Sequence, residues 1–302
     1  MKMPTALDAP YKLFRRKMPS ELYIGLQGLV GRRKTYYSVS YHLGIVDQYR
    51  QRVPIEDRTV LEIGPGNEIA TAVFMVLLGA RRVYLVDRID DNPFSTHGSG
   101  NDVPYIRELL HAFEESALGK SHAPAMRDPE LILERIQQVD CWFTNPRVEA
   151  LLDGPRPDVI LSHFVLEHIF DLDAVFRNLD LILADDGVMY HDVDLSDHSY
   201  HVFTKYPWAT RLFVANILRH LEYSSRTWAR LDDPKAVPMN RALLPKYLEL
   251  CDRYRFRTER LSTTAVSHAF AIHPDLLADV VEPRRTAEML DISAFELTLS
   301  RP

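Results

Sequence analysis

The sequence predicts a doubly wound α/β fold, and three observations carry that prediction. A short apolar run, Thr59 to Gly64, stops in glycine; residues 67–79 read as a helix; a second apolar run, Val83 to Asp87, ends on an acid. This is β-α-β in about 30 residues, the crossover that turns right-handed and places its first loop at the carboxyl edge of a parallel sheet. Two late strand-like runs, 255–264 and 292–300, suit an antiparallel pair on an otherwise parallel sheet.

The elements follow in order. Residues 36–52 read as a helix stopped before Pro54. In the helix over 67–79, Asn67 is the natural N-cap and Gly79 closes the end. The stretch 89–130 is irregular around a helix at 103–118, another helix is expected at 129–138, and 139–144 is the candidate third strand. Residues 158–162 form a strand after a Pro/Gly-rich turn, 164–184 a helix, 185–187 a turn and 188–192 the next strand. An irregular loop at 193–206 precedes helices at about 207–222 and 241–253, and a helix at 273–281 separates the two closing strands.

Composition narrows the class. The chain has 302 residues, 46% hydrophobic and 26% charged, which is ordinary globular composition. It shows no apolar run long enough to span a bilayer and no secretory leader, so a soluble, unexported protein is expected. Two cysteines, Cys141 and Cys251, make neither a disulfide framework nor a zinc spacing, which points to the reducing cytoplasm. The net charge of −6 argues against a nucleic-acid binder. Residues 1–34 carry eight basic side chains against Asp8 and Glu21, so this arm is +6 and the remainder −12. Its apolar residues recur at roughly helical spacing, which reads as a basic helical lid, with peripheral contact to anionic lipid or an anionic carrier as the alternative. The division expected is an N-terminal arm and lid, 1–53, and a cofactor domain, 54–302, with inserted helices at about 89–138 and 200–254.

The first loop is Glu62-Ile-Gly64-Pro-Gly66-Asn67. Glycines are needed where a backbone turns sharply and must approach a ligand without a Cβ. The helix behind them offers free N–H groups. Glu62, two residues before the first glycine, would repel a pyrophosphate but suits an ammonium group. Asp87 lies 21 residues beyond Gly66, the spacing of an acid that grips ribose hydroxyls. A dinucleotide dehydrogenase would want a third glycine where Ile69 stands, and it has no use for Glu62.

These residues resemble the cofactor loop of the class I S-adenosylmethionine-dependent methyltransferases. The run Asp158-Val-Ile-Leu-Ser162-His163 resembles that superfamily's fourth strand, and 292–302 its terminal strand, so the likeness spans about 59–302. The resemblance implies a Rossmann-like, seven-stranded sheet with an N-terminal helical lid, and S-adenosyl-L-methionine as cofactor. It also implies that Glu62 orients the methionine amine through the loop, that Gly64, Gly66 and Asn67 let the amino-acid tail pass, and that Asp87 takes both ribose hydroxyls. Arg88 would lie over the adenine, Asp140 would make the contact after the third strand, and Ser162 and His163 would line the methyl end.

The loop His191-Asp192-Val-Asp194-Leu-Ser-Asp197-His198, followed later by Asn240-Arg241, resembles sugar O-methyltransferases that accompany bacterial polysaccharide and glycolipid synthesis. That group shows an aromatic directly after the Asp-His pair, where this chain has Ser199-Tyr200. A sugar hydroxyl has a pKa far above 7, so methyl transfer to it needs a base aimed at the oxygen. The candidates are His198, His163, His168, His191 and His201, and His198 leads because Asp194 or Asp197 would orient its ring. Mg²⁺ held by Asp192 and Asp194 is a second way to activate the oxygen. His201, Trp228, Asn240 and Arg241 are candidate acceptor contacts, with helix capping the plainer use of Asn240 and Arg241. The expected activity is methyl transfer to a sugar hydroxyl of a bacterial glycan or glycolipid. A small-molecule or lipid acceptor is the first alternative, and a non-catalytic scaffold in a glycan-synthesis complex the second.

Overall fold

The computed structural model describes residues 38–66, 69–88, 103–197, 217–231, 239–266, 272–276 and 291–302, together with Leu13. The rest of the basic arm lies outside them. Seven strands form one sheet: β1 (Thr59–Ile63), β2 (Arg82–Asp87), β3 (Ile136–Asp140), β4 (Val159–His163), β5 (Val188–Asp194), β6 (Arg257–Ala265) and β7 (Ile292–Ser300). Their order is β3-β2-β1-β4-β5-β7-β6. The first five pair in parallel, and β7 runs antiparallel to both of its neighbours. This is the class I methyltransferase arrangement, a Rossmann-like sheet. Its order reverses between β1 and β4, and a crevice outside the carboxyl ends at such a switch point is where ligands bind in these folds.

The central strands read as unbroken apolar runs because both faces are covered. On one face Leu61, Ile63 and Val86 meet Phe176 and Leu179 of α6 (Leu172–Ile182) and Tyr247 of α8 (Leu244–Arg253). On the other, Val60 and Val83 meet Val46 of α1 (Val39–Arg50), Phe74 of α2 (Ala70–Leu77) and Phe113 of α3 (Val103–Glu115). All eight residues of α2 are buried, since it lies under both α1 and α3. Helix α1 therefore belongs to the main core, although the expected boundary at 53–54 falls after it: Ile45, Tyr49 and Val53 share one cluster with Val60 and Val73.

Several boundaries move for physical reasons. The helix expected at 129–138 is only α5 (Pro129–Glu134), capped by Asp128, and α4 (Ala117–Ser121) is separated from α3 by Ser116, which caps it. The third strand lies at 136–140 rather than 139–144. Gln137 and Gln138 hide it in the sequence, because β3 is an edge strand whose first three residues are half-buried. The helix expected at 164–184 is broken. Phe164 adopts φ 54°, a short 3₁₀ turn covers Leu166–His168, and Asp171 caps α6 by accepting from the Ala174 N–H at 2.9 Å. Helix α8 begins three residues later than 241, after Arg241 at φ 58°. Of the segments expected at 207–222 and 273–281, the described parts are 3₁₀ turns at Arg219–Glu222 and Pro274–Leu276; α7 covers Ser225–Leu231. Asn67, the expected N-cap of α2, is outside the described residues, while Gly79 at φ 94° ends that helix as expected. Among the described residues, no helix is long and apolar enough to cross a membrane.

Candidate functional site

The loop after β1 meets the turn after β4 at the switch point. Gly64 has φ 69°, and a Cβ there would fall 2.5 Å from Val165 Cγ2, so only glycine lets the two turns close on each other. Gly66, at φ 71°, donates its N–H to Asp87 Oδ2 at 2.8 Å, and the Arg88 N–H donates to Oδ1 at 2.7 Å. These two bonds aim the Asp87 carboxylate across the loop and leave a lone pair on each oxygen for a pair of hydroxyls. Burial raises its pKa, and the two N–H groups act in the opposite sense.

Glu62 is 3% exposed, and its partners come from two helices. The Tyr49 hydroxyl on α1 donates to Oε1 at 3.0 Å, and the Thr71 hydroxyl on α2 donates to Oε2 at 2.5 Å. Burial raises the pKa of Glu62 despite both bonds. Sequence reasoning missed Tyr49 and Thr71 as partners; the only signal was that each lies on a helix flanking the loop.

At the ends of β4 and β5 the register sets Ser162 beside His191 and His163 beside Asp192. His163 Nδ1 stands 3.1 Å from Asp192 Oδ2. Gln48, on α1 and also missed, donates to the same Asp192 oxygen at 3.0 Å and to the Tyr190 hydroxyl at 2.7 Å. The Phe164 ring lies 4.0 Å from the His163 ring, centre to centre, on a backbone held at positive φ. Ser162 Oγ shares a hydrogen with His191 Nδ1 at 2.8 Å. Both side chains are buried within the sheet, so Ser162 can line a crevice only through its backbone. Burial holds His191 down at about 4, a neutral ring inside the sheet that is ill placed as a base.

Asp87 and Asp140 are register partners on β2 and β3. Arg88 Nε lies 3.4 Å from Asp140 Oδ1, and its guanidinium is 6.0 Å from the exposed Trp142 ring. Together they make a half-open polar and aromatic wall beside Asp87.

The remaining predicted residues divide. Asn67, His198 and His201 lie outside the described residues. Asp194 Oδ1 accepts from the Ser196 N–H at 2.8 Å, a turn-forming use, and Asp197 is buried behind it. His168 is partly exposed, 4.0 Å from Glu167 Oε1. Asn240 is put to a different use from the expected acceptor contact. Its amide donates to the Leu166 and Ile169 carbonyls at 2.7 and 2.8 Å, and its Oδ1 accepts from the Ala242 N–H, which clamps the turn after β4. Arg241 is likewise buried, donating to the His220 and Tyr223 carbonyls at 3.0 and 2.9 Å, with its guanidinium 5.3 Å from the Trp228 ring. Trp228 is 8% exposed, so its face is covered in this arrangement. Among the described residues, no three His, Cys, Asp or Glu side chains are gathered to hold a metal ion; Asp192 instead faces His163 and Gln48.

The groups present fit S-adenosylmethionine: two glycines at positive φ in the loop after β1, the Asp87 carboxylate held by two backbone N–H groups with a lone pair left on each oxygen, and a buried acid beneath the loop. A family described as "Methyltransferase domain" matches residues 42–231. No curated protein matches the chain. One similar solved structure is an S-adenosylmethionine-dependent methyltransferase from Mesorhizobium loti, 14% identical, covering 88% of this chain and 99% of that one, with a TM-score of 0.44. Another is a geranyl diphosphate C-methyltransferase from Streptomyces coelicolor A3(2), in complex with Mg²⁺, geranyl diphosphate and S-adenosyl-L-homocysteine. It is 11% identical, covering 87% of this chain and 80% of that one, with a TM-score of 0.45.

Proposed function

The chain belongs to the methyltransferase domain family and is an S-adenosylmethionine-dependent methyltransferase, and from that premise we propose that it methylates a hydroxyl oxygen, with His163 as the base. The observation that carries this reading is the approach of Asp192 Oδ2 to His163 Nδ1, at 3.1 Å, at the carboxyl end of β4. Asp192 stands beside one ring nitrogen, which leaves the other, Nε2, to take the acceptor's proton. Gln48 fixes the carboxylate from the other side. His198, the leading candidate in the sequence, keeps its place as the rival base.

We assign Glu62 to the amine of the cofactor's amino-acid tail, Gly64, Gly66 and Asn67 to its passage over the loop, and Asp87 to the ribose. Arg88, Asp140 and Trp142 face the adenine side, and Ser162 lines the methyl end through its backbone. When bound, the cofactor supplies an electrophilic methyl group on a sulfonium. His163 then acts by removing the acceptor's proton as the oxygen becomes the nucleophile, and Phe164 screens that proton transfer from water.

For the acceptor we infer a sugar hydroxyl in a glycan or glycolipid. What supports it is the resemblance of the loop Asp194 to His198; Asn240 and Arg241 add nothing, being engaged by the fold. The test has two stages. Calorimetric titration with S-adenosylmethionine and S-adenosylhomocysteine, with Mg²⁺ and with EDTA, should show binding that Glu62→Ala and Asp87→Ala abolish. Methyl transfer from isotope-labelled cofactor to panels of sugars, phenols and lipids then identifies the acceptor. Absence of cofactor binding in every condition would put the scaffold reading first, and EDTA-sensitive turnover would restore a metal role for Asp192 and Asp194.

A further inference from the structure

We propose that Arg219 and Glu222 form an anion site on the acceptor side of the sheet, and that it takes a dianionic phosphate group carried by the acceptor. The proposal rests on the methyltransferase reading. Arg219 opens the 3₁₀ turn Arg219–Glu222, in the insertion between β5 and β6. On one side of that turn the Ile217 carbonyl accepts from the Asp197 N–H at 2.6 Å, just beyond the end of β5. On the other, Arg241 Nη1 donates to the His220 and Tyr223 carbonyls at 3.0 and 2.9 Å, and its neighbour Asn240 clamps the turn after β4. The Arg219 turn is therefore held from both sides by the ends of the strands that carry His163 and Asp192.

Arg219 is 4% exposed, yet its Nε has no hydrogen-bond partner among the described residues. Its ion pair among those residues joins Nη2 to Glu222 Oε2 at 3.4 Å. A guanidinium carries five N–H donors in a fork, and a charge-assisted bond to a carboxylate closes to about 2.7–2.9 Å. The Glu222 contact is thus long and single, where an anion seated in the fork is held by two bonds. Arginines that brace this fold look different. Arg241 donates to two carbonyls, and Arg301 donates to Asp180 Oδ1 at 3.1 Å and to the Leu183 carbonyl at 3.0 Å. A buried charge with a donor left over destabilises the fold unless an anion supplies the partner. Glu222, half-buried and one 3₁₀ turn beyond Arg219, lies on the same face and holds the place of that anion.

The charge of the ligand follows from its competitor. Glu222 is tethered beside the guanidinium, so it acts at a high effective concentration. An incoming carboxylate brings the same single charge without that advantage. A phosphate monoester or a terminal diphosphate carries about two charges at pH 7 and three acceptor oxygens, which match the fork and release Glu222 to solvent. The acceptor class so defined is a phosphorylated sugar, free or attached to a larger carrier.

The test is calorimetry on the full-length protein and on Arg219→Gln, Arg219→Lys and Glu222→Gln. Each is titrated first with S-adenosylhomocysteine, then with inorganic phosphate, a panel of sugar 1-phosphates, methyl glucoside and glucuronate. Wild type should bind a sugar 1-phosphate at least about 10-fold more tightly than methyl glucoside or glucuronate, as charge-assisted hydrogen bonds predict. Arg219→Gln should lose that preference, and Arg219→Lys, which keeps the charge without the fork, should recover part of it. Glu222→Gln removes the competitor and should bind the phosphates about 2- to 5-fold more tightly, the worth of a partly exposed ion pair. Equal affinity for phosphorylated and plain sugars, a preference for glucuronate, or phosphate binding that no substitution alters overturns the proposal. Inorganic phosphate bound more tightly than every sugar phosphate would place a free anion in the site and overturn its assignment to the acceptor. Should the Arg219 variants fail to fold, Glu222→Gln still decides, since an unchanged phosphate affinity there also overturns it. Wild type that binds no S-adenosylhomocysteine overturns the methyltransferase reading and the acceptor assignment with it, whereas cofactor binding without a phosphate preference overturns only the anion site.

Discussion

Tyr49 on α1 donates its phenolic hydrogen to Glu62 Oε1 at 3.0 Å, so the helix before the sheet is bonded to the acid beneath the cofactor loop. Burial and the adjoining carboxylate keep the phenol's pKa well above its ordinary value, so it remains a donor at any physiological pH. Gln48, one residue earlier, makes the equivalent link to Asp192. Two neighbouring residues of α1 thus hold the acid on β1 and the one on β5.

Tyr49→Phe removes one of the two hydroxyl donors to Glu62 and leaves a buried carboxylate oxygen unpaired. The expected loss is about 1–3 kcal/mol of unfolding free energy, read by urea denaturation. Affinity for S-adenosylhomocysteine should fall as well, because Glu62 is no longer fixed under the loop. A variant as stable as wild type, with unchanged affinity, would show that α1 does not support the site.

Gly64→Ala introduces a Cβ at φ 69° and 2.5 Å from Val165 Cγ2. The backbone conformation alone costs on the order of 1–2 kcal/mol, and the clash adds to it. Val165→Ala in the same chain relieves the clash and not the backbone term, so the double variant should recover part of the stability. Recovery of full wild-type stability and cofactor affinity by the double variant would show that the conformation carries no cost here.

Most of the sheet was legible because parallel strands covered on both faces leave unbroken apolar runs, as in Val60-Leu61 and Val159-Ile160-Leu161. Strand β3 was misplaced because an edge strand tolerates Gln137 and Gln138. The break at Phe164 was hidden for another reason: nothing local requires a left-handed phenylalanine, which is held by its N–H to the Asp192 carbonyl and by packing on His163. The glycines and acids of the cofactor loop were readable from spacing. Their partners were not, since Tyr49, Thr71 and Gln48 reach Glu62 and Asp192 from helices whose packing no local pattern encodes. Asn240 shows the converse, a residue with the chemistry of a ligand contact whose amide and carbonyl bond the backbone of Leu166, Ile169 and Ala242.

Glu167 is 1% exposed on the 3₁₀ turn after β4, and burial, with Asp194 and Asp192 acting in the same sense, raises its pKa well above the ordinary range. The folded protein therefore keeps this proton where the unfolded chain has lost it. Stability from this group is complete below the unfolded pKa, about 4.5, and declines as pH rises above it. Glu167→Gln cannot titrate. Its stability relative to wild type should improve between pH 5 and pH 8, by about 1.4 kcal/mol for each unit through which the folded carboxyl stays protonated. Urea denaturation of both proteins at the two pH values measures this, and a constant difference would mean that Glu167 is ionised throughout.

His191 produces the opposite slope. Its ring is wholly buried on β5, shares a hydrogen with Ser162 Oγ at 2.8 Å, and is held down at about 4 against an ordinary 6.5. The unfolded chain therefore takes up a proton near pH 6.5 that the folded protein refuses until about pH 4. The contribution is present above 6.5 and is lost as pH falls towards 4, on the order of 3 kcal/mol in all. His42 is held at about 4 by the same physics and adds a second proton to the same window. Glu62 and Glu167, with raised pKa values, act against both, so the slope of the wild type alone is not diagnostic. His191→Asn isolates the one group, since an amide placed near Nδ1 can still bond Ser162 and does not titrate. The stability difference between wild type and this variant should shift towards the variant from pH 7 to pH 4.5, approaching 1.4 kcal/mol per pH unit below 6. A difference independent of pH would mean that His191 titrates normally, and that the sheet opens around it.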